Sequence, residues 1–170
     1  MIGGTRWTRA SDAAAGRCDP GRSAASPCGG GGALGCRAVA IAHHDLCFGC
    51  GVANLFGLQM ELERQADGSV AGRFFLKQDH QGPPGHAHGG ILAAALDEAA
   101  ALAAGEGPDA PITARLEVDF LAPAPLGAFV AMQAAVESEE AGRLWVRAEA
   151  RAEGPDGPEV ARARVLLVRR

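Results

Sequence analysis

Tyrosine is absent from this chain, and six phenylalanines and two tryptophans are its only aromatic residues. That composition excludes a surface on which nucleic-acid bases stack on aromatic rings. Lysine is nearly absent too, since Lys77 stands alone, and the formal net charge is -4. A general nucleic-acid binder needs a basic footprint that this balance does not supply. No run of about 18 apolar residues occurs, so a membrane span is not expected. No secretory leader is recognised either, and the cysteines are odd in number: Cys18, Cys28, Cys36, Cys47 and Cys50. An odd count without a leader does not describe a disulfide framework. The expectation is a cytoplasmic protein with reduced thiols. At 170 residues the chain fits one domain with a substantial core.

The little basic charge present is unevenly spread. From Arg143 to Arg170 there are seven arginines against Glu149, Glu153, Asp156 and Glu159. Arginine forks suit phosphate, so this end reads either as an anion site or as a solvated strand face. Residues 1–38 are rich in Gly, Ala, Arg and Ser and lack any sustained period. Such a stretch buries too little apolar surface to offset its ordering entropy. It is expected to be an unfolded tail.

From about residue 39 the pattern changes. Leu58, Met60 and Leu62 alternate with polar residues, as in a half-buried strand. Asp67-Gly68 is a hairpin turn signal, and Val70 to Leu76 returns. The loop Lys77 to Ala87 contains Gly82-Pro83-Pro84-Gly85, which no regular element tolerates. A helix is predicted from Gly89 to Ala104, closed by Gly105. Strands follow at about 112–121, 128–137, 143–152 and 159–168, joined by short turns that imply antiparallel neighbours. One apolar helix against a roughly six-stranded, mainly antiparallel sheet is an α+β architecture.

The helix carries the chemistry. Ile91, Leu92, Ala95, Leu96, Ala99, Leu102 and Ala103 share one broad face at 100° per residue. Opposite lie Ala93, Ala94, Ala100, Ala101 and Ala104, with Asp97 among them. A carboxylate on so apolar a surface is costly, which makes Asp97 a catalytic candidate. Glu98, at the edge of both faces, reads as a structural or solvated neighbour. The helix opens at His88-Gly89-Gly90, whose unshielded amides at the positive helix end suit a developing oxyanion. Gly89 and Asp97 are eight residues apart, about 12 Å along the axis at 1.5 Å per residue. One carbonyl carbon cannot touch both on the same chain. Two helices running antiparallel across a two-fold axis would bring Gly89 of one to Asp97 of the other, and the alanine face permits that approach. A homodimer with composite sites is therefore expected.

Several motifs now combine. They are Cys47-Phe48-Gly49-Cys50-Gly51 with Asn54, Gly57 and Leu58; His80-Gln81-Gly82-Pro83-Pro84-Gly85; His88-Gly89-Gly90; and Leu96-Asp97-Glu98-Ala99. With Thr113-Ala114-Arg115-Leu116-Glu117-Val118, they resemble the PaaI-like hotdog-fold thioesterases over residues 43–169. The resemblance implies a sheet wrapped around a central helix and a dimer or dimer of dimers. It implies hydrolysis of acyl-CoA without a cofactor. It also gives roles: Asp97 as general base or nucleophile, Gly89 as oxyanion donor, His88 shaping the helix start, and Thr113 holding the attacking water. Gly90, Gln81 and Gly82 fall at substrate-binding positions. Some members carry asparagine where Gly82 stands, and Gln81 or His80 would take over its role. The alternative on the same fold is a non-catalytic acyl-CoA binding protein.

Cys47 and Cys50 with His43 or His44 offer zinc-like ligands, but a closed site wants four and no second pair follows. Small apolar thiols packing in a core, with no metal, is the expectation. His86 reads as a loop residue and Trp145 as a packing or interface residue.

Overall fold

The computed structural model describes residues 40–169, so the expectation for residues 1–38 lies outside the described residues. The elements are β1 (Ala40–Ile41), β2 (Glu61–Arg64), β3 (Val70–Phe75), α1 (Gly89–Ala104), β4 (Ile112–Phe120), β5 (Phe129–Glu140), β6 (Arg143–Ala152) and β7 (Glu159–Val168). Every strand pairing is antiparallel, in the order β1-β2-β3-β5-β6-β7-β4. The expected α+β hotdog architecture is present, with one helix on one sheet. The six expected strands are joined by the two-residue β1 at one edge. β4 closes the other edge, beside β7 rather than beside its sequence neighbours.

One strand boundary differs from the reading of the sequence. Leu58, Met60 and Leu62 are all buried, as their alternation predicts. The strand nonetheless starts at Glu61, because Gln59 sits in the left-handed region at φ 52° and interrupts the extended backbone.

The core lies between α1 and the concave face of the sheet. Leu92, Leu96 and Leu102 meet Val130, Met132, Leu144, Val146, Val165 and Leu167. Between these large side chains, Ala95, Ala99, Ala134, Ala148, Ala150 and Ala163 are buried as well, which lets helix and sheet approach closely. Truncating a buried leucine in such packing costs about 2–5 kcal/mol. Ala100 and Ala104, expected on the second helix face, are also in the core. The buried residues of α1 cover an arc of about 200° at 100° per residue, so the sheet wraps more than half the helix. Beside that arc runs a half-buried stripe of Ala93, Ala94, Asp97 and Ala101, with Ile91 and Glu98 at its edge.

The arginine-rich end forms the outer face of the sheet. Glu137 takes both Arg147 and Arg164 at 3.0 Å, Asp119 takes Arg162 at 3.2 Å, and Glu139 takes Arg169 at 3.2 Å. Arg151 lies 3.6 Å from Glu149 and from Glu159. The Arg164 guanidinium also covers the Trp145 ring at 4.3 Å. These pairings make the end a solvated strand face rather than a field of spare positive charge. Among the described residues no helix is long and apolar enough to cross a membrane.

Candidate active site

The loop before α1 is held by backbone bonds. The Ala87 N–H donates to Ala124 O at 2.9 Å, the His88 N–H to His80 O at 2.8 Å, and the Gly82 N–H to His86 O at 2.9 Å. They deliver His88 as the helix N-cap, with extended dihedrals of φ -66° and ψ 135°. Its Nδ1 accepts the Gly90 N–H at 2.9 Å, and its carbonyl accepts the Ile91 N–H at 2.9 Å. Among the described residues no partner takes the Gly89 N–H. Of the two glycine amides, one is therefore committed to the cap and one is free to donate at the positive end of the helix.

Glycine at 89 is set by Phe120, whose ring would stand 3.2 Å from an added Cβ. Phe120 thus roofs the helix start, and nothing in the sequence singled it out. Glycine at 82 has a harder cause. A Cβ there would lie 2.8 Å from the His88 Cα, so an asparagine would displace the backbone that places the cap. Neither candidate substitute stands free beside the helix start. His80 is buried, 6.5 Å from the Phe74 ring, and its Nδ1 accepts the Lys77 N–H at 3.2 Å. Gln81 is exposed, and its Oε1 accepts the Gly85 N–H at 3.4 Å. His86 is a loop residue, with Nδ1 3.0 Å from Pro84 O.

Asp97 sits on the half-buried alanine stripe, and the Thr113 hydroxyl donates to its Oδ1 at 2.7 Å. This contact depends on a β-bulge. Leu116 pairs with Val165 and Val118 with Ala163, so even-numbered residues of β4 face the helix. Strict alternation would turn Thr113 outward. The register shift between Thr113 and Arg115 leaves Ala114 as an extra residue, pairing Thr113 with the buried Leu167 on the inner face.

Of the two expectations for Glu98, structural or solvated, the contacts fit the structural one. Its side chain is 11% exposed, and its carboxylate lies 3.0 Å from His43 Nδ1 and 3.5 Å from Cys47 Sγ. Hydrogen bonding to Glu98 pushes His43 up to about 9 against the opposing effect of burial. Burial, with Glu98 beside it, pushes the Cys50 thiol up to about 12. Burial works to raise Glu98, but its contacts with His43 and the thiols outweigh this and hold it below the usual carboxylate range.

Residues 84–159, from before His88 to the start of β7, match the family model described as Thioesterase superfamily. The crystal structure of a thioesterase superfamily protein is 30% identical, with a TM-score of 0.67, covering 73% of this chain and 60% of that one. The chain thus spans about 60% of the length of that relative. The E. coli PaaI protein from the phenylacetic acid degradation operon is 20% identical, TM-score 0.58, over 66% of this chain and 80% of its own. A Streptococcus mutans protein bound to acetyl CoA is 16% identical, TM-score 0.59, over 65% of this chain and 88% of its own. These last two show likeness of fold. No curated protein matches the chain in sequence. With the helix, the wrapped sheet and the HGG start in place, the described residues have a hotdog fold like that of the PaaI proteins, and residues 84–159 are similar to the thioesterase superfamily.

Proposed function

We propose that the protein hydrolyses an acyl-CoA thioester to a free acid and CoA, at composite sites in a homodimer. The observation that carries this reading is the 2.7 Å bond from Thr113 to Asp97, which fixes a carboxylate on an otherwise apolar helix stripe. Asp97 takes a proton from a water that Thr113 steadies, and the resulting hydroxide adds to the thioester carbonyl. The carbonyl oxygen, now negative, accepts the Gly89 N–H of the partner subunit at the positive end of its helix. Collapse of the tetrahedral intermediate breaks the C–S bond, and the leaving sulfur takes up a proton to give free CoA. Direct attack by Asp97 through a mixed anhydride that water then opens leads to the same products. The acetyl CoA held by the Streptococcus mutans neighbour supports CoA thioesters as the ligand class. Gly90, Gln81 and Gly82 border the same helix start and would shape the substrate mouth.

The second reading, a protein that binds acyl-CoA without cleaving it, needs the pocket but has no use for an Asp97 held by Thr113. A panel of acyl-CoA substrates from acetyl through long-chain to aromatic, followed by release of free thiol, separates the two. Turnover that scales with enzyme and disappears in Asp97→Asn supports hydrolysis. Saturable binding with no thiol release from any member of the panel refutes it.

A further inference from the structure

The segment 42–57, between β1 and β2, contains neither strand nor α-helix. Apolar burial does not explain its shape, because Leu46, Phe48, Val52, Leu55 and Phe56 are all exposed. Small structures without a core of their own need a staple. At its centre four donor atoms converge. Nδ1 or Nε2 of His43, Sγ of Cys47, Sγ of Cys50 and a carboxylate oxygen of Glu98 lie within 4.8 Å of one another. The resolved pairs are His43 Nδ1 to Glu98 at 3.0 Å, Cys47 Sγ to Glu98 at 3.5 Å, and each sulfur to His43 Nδ1 at 3.9 Å. Zinc bond lengths to N, O and S place tetrahedral ligand atoms about 3.3–3.8 Å apart. The observed spacings bracket that range.

The backbone is shaped around this convergence. A Cβ at Gly49 would stand 2.3 Å from Glu98 Cγ, so the glycine leaves the gap through which Glu98 reaches the thiols. A Cβ at Gly51 would collide with Asp45 O and the Cys47 backbone at 2.5 Å, so the tight wrap of the Cys-x-x-Cys turn needs glycine there too. The His43 N–H donates to Cys50 Sγ at 3.1 Å, which ties that sulfur to the same turn as the His43 ring. Among the described residues no arginine or lysine pairs with Glu98. Its ion-pair partner is His43, and a metal ion at the centre would replace the proton between them. His44 is not among the converging donors, and its Nδ1 accepts the Leu46 N–H at 3.2 Å.

We propose that His43, Cys47, Cys50 and Glu98 form a structural zinc site that fastens the 43–51 loop to helix α1 beside Asp97. Mixed nitrogen, sulfur and oxygen donors suit zinc, and four protein ligands close the coordination sphere, leaving no position for substrate. The sequence suggested only three of these ligands, since the fourth comes from a helix far along the chain rather than from a second cysteine pair.

The test is metal content of the full-length protein purified from zinc-supplemented cells, read by elemental analysis. Titration of the chelator-stripped protein with cobalt chloride and then zinc chloride follows. About one zinc per chain is expected, with intense tetrahedral cobalt bands and thiolate-to-cobalt charge transfer that zinc abolishes. His43→Ala and Cys47→Ala, both at partly exposed positions, should weaken zinc binding roughly tenfold or more. They should also remove the rise in melting temperature that zinc gives the parent protein. Glu98→Gln should do the same while the far-ultraviolet spectrum stays folded. His44→Ala and a triple Cys18, Cys28 and Cys36 to serine variant should both keep the metal. A folded parent protein that takes up neither metal overturns the proposal. So does zinc that leaves with the Cys18, Cys28 and Cys36 substitutions and not with His43 or Cys47. None of these readouts depends on thioester hydrolysis.

Discussion

Asp97 is held by one hydroxyl, and that sets a ranking of two substitutions. Asp97→Asn keeps the size of the side chain and an acceptor for the Thr113 hydroxyl while removing the base. It should fold as the parent does and lose about 10²–10⁴-fold in kcat on the best acyl-CoA found, the usual contribution of a positioned base. Thr113→Ala removes only one of several constraints on the water and should lose less. The order is read from steady-state rates on purified variants, and an Asp97→Asn more active than Thr113→Ala would overturn the assignment. A second side chain with a readable titration is His80. Burial, then Lys77, lowers it from its ordinary value of 6.5, with Asp79 opposing. Its Nδ1 is also occupied as an acceptor from the Lys77 N–H. The neutral ring is the folded form, so the unfolded chain binds the extra proton first. Stability is then complete above about 6.5 and falls as pH drops through the lower folded value. Urea unfolding at several pH values below 6.5 should show a steeper loss for the parent than for His80→Gln. Equal slopes would mean that His80 does not report the loop.

At the scale of elements, the helix face divides alanines into two kinds that only the structure separates. Ala100 is fully buried, whereas Ala93 lies on the half-buried stripe with Asp97. Ala100→Leu should therefore reduce unfolding free energy by about 1–3 kcal/mol through overpacking. Ala93→Leu should spare the thermal transition of the single chain and instead weaken association and turnover together. Denaturant unfolding and analytical ultracentrifugation on both variants check this, and loss of fold in Ala93→Leu alone would reverse the assignment. The same contrast explains what the sequence could reveal. Periodicity placed α1 at its observed ends and every long strand within a few residues, because those patterns follow from which side chains must be buried. It assigns Ala100 and Ala104 to the outer face because a two-face division at 100° per residue assumes a flat partner, while this sheet curls around the helix. Only the family resemblance points to Thr113. Its inward aim comes from a bulge that alternation cannot encode. The sequence leaves Glu98 as a structural or solvated neighbour, because its partners, His43, Cys47 and Cys50, lie about fifty residues upstream and no local pattern joins them.

At the scale of the whole molecule, the helical rise has a consequence that can be tested without a structure of the dimer. Gly89 and Asp97 on one chain are about 12 Å apart along the axis, so a composite site draws one from each subunit. Gly89→Pro is a clean way to delete the donor. It removes the N–H at the first helical position, where proline is tolerated, and His88 already has the extended backbone that proline requires before it. The ring must shift Phe120 slightly, since a Cβ there stands 3.2 Å from its ring. Gly89→Pro and Asp97→Asn should each be nearly inactive alone. When the two are unfolded together and refolded as a mixture, half of the dimers pair one of each. In those dimers one site has lost both groups, and the other combines an intact Gly89 with an intact Asp97. An equal mixture should therefore regain about a quarter of the parent activity if the assembly is a two-fold dimer. No regain, in a mixture whose heterodimers are verified by mass, would place both groups of each site on one chain and end the composite-site proposal.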